Sequence, residues 1–270
     1  MIAKIFVFIF GSIVGSFLNV CIHRMPENES VVWPRSHCPK CKKRIPGYDN
    51  IPFISYILLG GRCRFCKERI SLRYPLVELL TALLTLALFN RFGLSYSFFL
   101  YMVMLWGLII ATFVDIKHRI IPDEVSVGGM IIGFIMVSIK GFTFNPLGYN
   151  FHPMLRSLLG IIVGGGIIYL TGALFDLVYF KWLKKPAING ETESMGGGDV
   201  KLLAMIGAFI GWQRALLTFF LAPFLGIIVS VVTLIKKNDH TIPYGPFLSI
   251  AALVSLFWAD KIIQLILPVK

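Results

Sequence analysis

Long apolar runs separated by short polar connections dominate the chain. Runs of spanning or near-spanning length cover about 2–22, 75–92, 95–114, 124–140, 154–180, 200–211, 213–235 and 246–267. Each predicts a helix, because a segment crossing the hydrocarbon core needs about 20 apolar residues. The run at 200–211 is short for a full crossing; Gly207, Gly211 and Trp212 predict a turn near its end, and with it a short or re-entrant helix. Only one stretch, 23–74, is both long and polar. The pattern predicts an all-α polytopic membrane helix bundle of about eight segments, organised as a first transmembrane helix (1–22), a cytoplasmic domain (23–74) and a transmembrane bundle (75–270).

Composition sharpens this picture. Hydrophobic residues make up 56% of the 270 positions and charged residues only 15%, with a mean hydropathy of +0.77, which excludes an ordinary soluble domain. A net charge of +12 would suggest nucleic acid in a soluble protein. Here the basic residues sort to one side of the predicted bundle, as the positive-inside rule requires. With the N-terminus outside, 19 of the 26 Lys and Arg fall in the inner loops or at Lys201, so the basic loops face the cytoplasm. The partner expected for that charge is membrane lipid and not nucleic acid. Lys4 ahead of an apolar run imitates a signal peptide, but no small-residue cleavage site follows, and a retained helix is expected. Gly11 and Gly15 give that helix a small-residue face for close packing.

The polar stretch carries Cys38-Pro39-Lys40-Cys41 and Cys63-Arg64-Phe65-Cys66. Two such knuckles let four thiolates converge tetrahedrally on Zn²⁺, and four protein ligands leave no open position for hydrolysis. The expected metal is therefore structural, folding a segment with few core aliphatics. Two disulfides are the alternative, disfavoured in a reducing compartment. Cys21, at the end of the first helix, is read as a small buried residue.

Ionisable residues in or beside spanning segments are functional candidates by default. Asp115 ends the third apolar run, and Asp199 opens the sixth after Met195-Gly196-Gly197-Gly198. The predicted topology puts both at the cytoplasmic edge. Two adjacent carboxylates divide one proton, which supplies a base to activate water and an acid to polarise a peptide carbonyl. Gly196 and Gly198 are expected to admit a substrate backbone and to give the loop its φ freedom. Asp199 before Val200-Lys201-Leu202, and Asp123 after Ile121-Pro122, also fit helix N-caps. Asp115 has no capping role within its own helix, since an acid at a helix C-terminus opposes the dipole. Glu78 is expected to pair with a nearby cation or to organise its helix start, and Asp176 to pair with Lys181 or Lys184. The five histidines are scattered, and neither HExxH nor GxSxG occurs. A transporter or channel with Asp115, Asp199 and Asp176 along an ion path gated by the zinc loop, and a zinc-stabilised assembly protein, are the competing classes; the clustering of acids at one edge favours an enzyme.

Seven segments together resemble the bacterial type IV prepilin peptidases, a family of GxGD-type membrane aspartyl proteases: GSFLNVCIHRMP (15–26), RSHCPKC (35–41), DNIPFISYILLGGRCRFC (49–66), RYPLVELLT (73–81), DIKHRIIPD (115–123), MGGGDVKLLAMIGAFIGW (195–212) and IPYGPFLS (242–249). The resemblance covers nearly the whole chain. It implies that Asp115 and Asp199 are the catalytic pair, with Asp123, Gly196, Gly198 and Lys201 in support. It also implies an inner-membrane enzyme that removes a basic leader from prepilin and pseudopilin precursors. Methylation of the new N-terminus with S-adenosylmethionine is implied as well. No GxGxxG fingerprint occurs, so no residue is assigned to the methyl donor, and no subunit count is implied.

Overall fold

The computed structural model of the chain describes residues 1–143, 152–183, 195–236 and 243–266. Every long element among them is a helix, and all eight apolar runs fold as predicted: α1 (Ile2–Arg24), α3 (Arg73–Phe92), α4 (Tyr96–His118), α5 (Asp123–Thr143), α6 (His152–Asp176), α7 (Gly197–Ile210), α8 (Trp212–Lys236) and α9 (Gly245–Ile266), with a short α2 (Ile54–Leu58) inside the polar stretch. Six helices are long and apolar enough to cross a membrane, namely α1, α3, α4, α5, α6 and α9. The 14 residues of α7 reach only about 21 Å, against roughly 30 Å of hydrocarbon. Its end is set by Gly211, whose φ of +81° is a conformation glycine adopts freely. Gly207 lies inside the helix, and its carbonyl accepts the capping N–H of Gly211 at 2.8 Å.

The chain divides into two compact units, Met1–Val114 and Asp115–Lys270. In the first, α1 lies along α3. A side chain at Gly11 or Gly15 would run into the backbone of Ala82 or Glu78, at 2.8 and 2.7 Å, so the small-residue face is what lets the two helices approach. Thr81 and Thr85 donate their hydroxyl protons to the carbonyls of Val77 and Thr81, so both hydroxyls are paired inside this buried seam. At its end Asn19 donates to the Tyr74 carbonyl at 3.0 Å. Cys21 is buried beside it, as expected.

In the second unit the short α7 is the core. Every residue from Leu202 to Ile210 is buried, because its neighbours present glycine where it passes. A Cβ on Gly160 would strike the Gly207 carbonyl, one on Gly164 the Leu203 carbonyl, and ones on Gly129 and Gly133 the side chains of Met205 and Phe209. Ser157 also donates to the Ala208 carbonyl at 2.7 Å. Helices α8 and α9 are tied by Thr218 to Ser255 at 3.0 Å and by Arg214 to Asp260 at 3.2 Å. This short, largely buried helix is held in place by close backbone approach, and its first turn carries Asp199.

Candidate active site and candidate metal centre

Asp115 lies in the last turn of α4 and is 6% exposed. Its Oδ2 accepts a 2.8 Å hydrogen bond from the backbone N–H of Gly245, the first residue of α9. This places the carboxylate at the positive end of a helix dipole, an arrangement that stabilises negative charge. Oδ1 has no hydrogen-bond partner among the described residues. Asp199 is the third residue of α7, and Asp115 is close enough for its charge to act directly on it. The two acids, 84 positions apart along the chain, are thus near enough for the charge of one to raise the carboxyl of the other.

Asp199 is not an N-cap. Gly196 occupies that position and accepts the Asp199 N–H through its carbonyl, which leaves the Asp199 side chain available to the site. Asp123 opens α5, and the capping expectation gives way there too: its two carboxylate oxygens accept from Lys201 Nζ at 2.7 and 2.9 Å. This pair links the start of α5 to the first turn of α7. The glycines act differently from expectation. Gly196 has φ −68°, and Gly197 and Gly198 are not among the positive-φ residues, so φ freedom is not their role. A Cβ on Gly198 would come within 3.2 Å of Ile121, and one on Gly196 within 3.6 Å of Asp199 Oδ2. Close approach is what Gly198 supplies.

Two residues of the site were not singled out by sequence reasoning. Gly245 must lack a side chain because a Cβ there would lie 2.8 Å from Asp115 Oδ2. Tyr244 precedes it, and burial pushes its phenol up to about 12, with the negative charge of Asp199 adding to the effect. Tyr244 therefore stays a protonated hydrogen-bond donor beside the acids. The available signal was Tyr-Gly-Pro directly before an apolar run, a helix start with an unneeded glycine.

Glu78 departs from expectation in one respect. Among the described residues it has no cation partner; it accepts the Phe53 N–H at 3.0 Å, and Ser16 also hydrogen-bonds to it. It therefore ties the polar stretch to α3. Of the two suggested partners of Asp176, Lys184 lies outside the described residues, and so does the side chain of Lys181.

In the polar stretch the sulfur atoms of Cys38, Cys41, Cys63 and Cys66 all lie within 4.8 Å of one another. The two knuckles repeat one backbone design. Lys42 N–H donates to Cys38 O and Lys67 N–H to Cys63 O; Lys42 and Lys67 both have φ +58°, and each chain returns as a bridge, His37 to Arg44 and Arg62 to Arg69. Tetrahedral Zn–S bonds of about 2.3 Å require sulfurs about 3.8 Å apart, and Cys38 Sγ to Cys66 Sγ is 3.8 Å. Backbone N–H groups of Cys66 and Phe65 favour the Cys63 thiolate that a metal requires, while the neighbouring thiols push Cys66 up. The donor set fits a tetrahedral soft-metal site. Arg64 clamps Asp49 with two hydrogen bonds of 2.7 and 2.6 Å and holds that carboxyl below the ordinary range.

Residues 9–92 match the bacterial peptidase A24 N-terminal domain and residues 102–231 the type IV leader peptidase family. The chain belongs to the type IV leader peptidase family. Its relatives include proteins named prepilin leader peptidase/N-methyltransferase. That of Aeromonas salmonicida is 33% identical over 95% of this chain and 91% of the relative; that of Pseudomonas aeruginosa is 35% identical over 93% and 89%. That of Myxococcus xanthus is 37% identical over 87% of this chain and 64% of the relative. No solved structure matches the chain. The two matched family regions contain the cysteine cluster and the paired acids respectively.

Proposed function

We propose that this leader peptidase family member is an inner-membrane aspartyl endopeptidase that removes the basic leader of type IV prepilins and pseudopilins at the cytoplasmic face, then N-methylates the exposed residue. The observation that carries the hydrolytic half is the Gly245 N–H bond that fixes Asp115, supported by the electrostatic influence of Asp115 on Asp199. Asp115, held by an amide at a helix N-terminus, is the member suited to carry the negative charge; Asp199 holds the shared proton. Asp115 takes a proton from water as the water oxygen bonds to the scissile carbonyl carbon, while Asp199 donates a hydrogen bond to the carbonyl oxygen. A proton then passes to the amide nitrogen and the C–N bond breaks, giving a carboxylate on the leader and a free amine on the mature chain. The Asp123–Lys201 pair and the Gly198–Ile121 contact hold the first turn of α7 in register for this.

The excess of Lys and Arg in the loops flanking the two acids supports a cytoplasmic active site. Cys38, Cys41, Cys63 and Cys66 would hold zinc, which would supply structure and leave no position for substrate. S-adenosylmethionine would supply an electrophilic methyl group to the new amine; the relatives' names support this half, and no residue of the chain is assigned to the donor. The test is incubation of the purified protein with a full-length prepilin, with and without S-adenosylmethionine, followed by mass spectrometry of the product's N-terminus. Leader loss in both and one added methyl only with the donor is expected. Intact precursor in both would overturn the reading, and a cut, unmethylated product with the donor present would reduce it to a peptidase.

A further inference from the structure

The first unit contains a cleft of about 550 Å³ that neither the acids nor the cysteine cluster uses. One wall is a stripe of α1: Ile13, Phe17, Val20 and Arg24 recur at i, i+4, i+7 and i+11, a single helix face. Ile13 and Phe17 are 57% and 50% exposed. The opposite wall is the segment after α1, with Arg35, and the return strand of the first knuckle, with Arg44. The lining contains no carboxylate, and none of its three arginines forms an ion pair among the described residues. Arg24 is buried and donates to the carbonyls of Ser30 and Pro34 at 2.9 and 2.7 Å. That folds the segment over the helix and fixes the cationic end.

The dimensions identify the occupant. From Ile13 to Arg24 the helix rises roughly 16 Å, about half of a hydrocarbon core of ~30 Å. From its apolar end at Ile13 to the guanidinium end, the cleft thus runs about the depth of one leaflet. Val32 and Trp33, 80% and 70% exposed, stand beside that end, where an aromatic ring is placed at a membrane interface. We propose that this cleft binds one anionic phospholipid, its phosphate between Arg35 and Arg44 and an acyl chain along Ile13, Phe17 and Val20. A basic prepilin leader and a cationic sulfonium donor are both disfavoured by a lining with three positive charges and no acid. The site is independent of the paired acids, so it stands or falls by binding and not by cleavage.

The test uses the full-length protein, zinc-loaded and delipidated in neutral detergent, titrated with phosphatidylglycerol and with phosphatidylcholine of the same chains and read by native mass spectrometry. One phosphatidylglycerol is expected to be retained about tenfold more tightly than phosphatidylcholine. Arg35→Ala with Arg44→Ala should remove the preference; the lysine pair at the same positions should keep most of it. Both arginines are exposed, so zinc content should be unchanged and reports folding. Ile13→Trp, which fills the apolar wall, should weaken retention of both lipids. Equal binding of the two lipids by the wild type, or an unchanged preference in the alanine pair, would overturn the proposal. So would competition by glycerol phosphate at concentrations equal to the lipid, which would make the site one for phosphate alone. Loss of prepilin binding in Ile13→Trp with lipid binding intact would instead make the cleft a precursor groove, and the proposal would fall.

Discussion

Gly245 donates its backbone N–H to Asp115 Oδ2 at 2.8 Å, joining residues 130 positions apart. The absence of a side chain at 245 permits this bond, since a Cβ would lie 2.8 Å from the same oxygen. Gly245→Ala should push the carboxylate off the amide and slow prepilin cleavage by about 10- to 100-fold, the worth of one hydrogen bond to a charged group. Helix content by circular dichroism should be unchanged. A wild-type rate in single-turnover assays would show that Asp115 does not depend on the amide.

Asp115→Asn and Asp199→Asn should each abolish leader cleavage while zinc content and thermal unfolding remain those of the wild type. Because the two act as one unit, the double variant should be no slower than either single one. Residual cleavage that falls further in the double variant would contradict a shared proton.

The Asp123–Lys201 pair is exposed at both ends, 64% at Asp123 and 44% at Lys201. Lys201→Met should therefore lower stability by no more than about 1 kcal/mol yet slow cleavage, because the pair sets where α7 begins relative to α5. A double-mutant cycle with Asp123→Asn, read in cleavage rate, should show strong coupling between the two positions. Additive effects on rate would remove the positioning role.

Replacing Cys38 and Cys41 together by Ser should abolish stoichiometric zinc and lower the unfolding temperature of the first unit before it affects the acids of the second. Asp49 titrates below its ordinary value of 3.8 because of Arg64, so its contribution is present above about pH 4 and is lost as the pH falls through the depressed value. Asp49→Asn should flatten the acid end of a stability-versus-pH curve for this unit. An unaltered curve would show the clamp to be irrelevant to folding.

Glycines on α6 offer an internal control. Gly160→Ala would place a methyl against the Gly207 carbonyl and should cost about 1–3 kcal/mol or more. Gly166→Ala, which meets nothing within 4 Å, should be neutral or stabilising by up to about 1 kcal/mol. Equal effects would mean that α6 and α7 are not held by backbone approach.

Much of this molecule was written in local pattern. Apolar run lengths determined eight helices, the CxxC spacing marked four convergent thiolates, and Asp115 stood out because an acid at a helix C-terminus has no local use. Those features depend on neighbours within a turn or a knuckle, so a linear reading reaches them. Tertiary structure alone decided that Gly245 supplies the amide for Asp115, that Asp123 turns to Lys201, that Glu78 receives Phe53, and that α7 is a buried core helix. It also decided that Arg24, Arg35 and Arg44 close one cleft with α1. Each of these joins residues from separate elements, and a hydrogen bond, an ion pair or a van der Waals collision acts over a few ångströms of space whatever the separation along the chain.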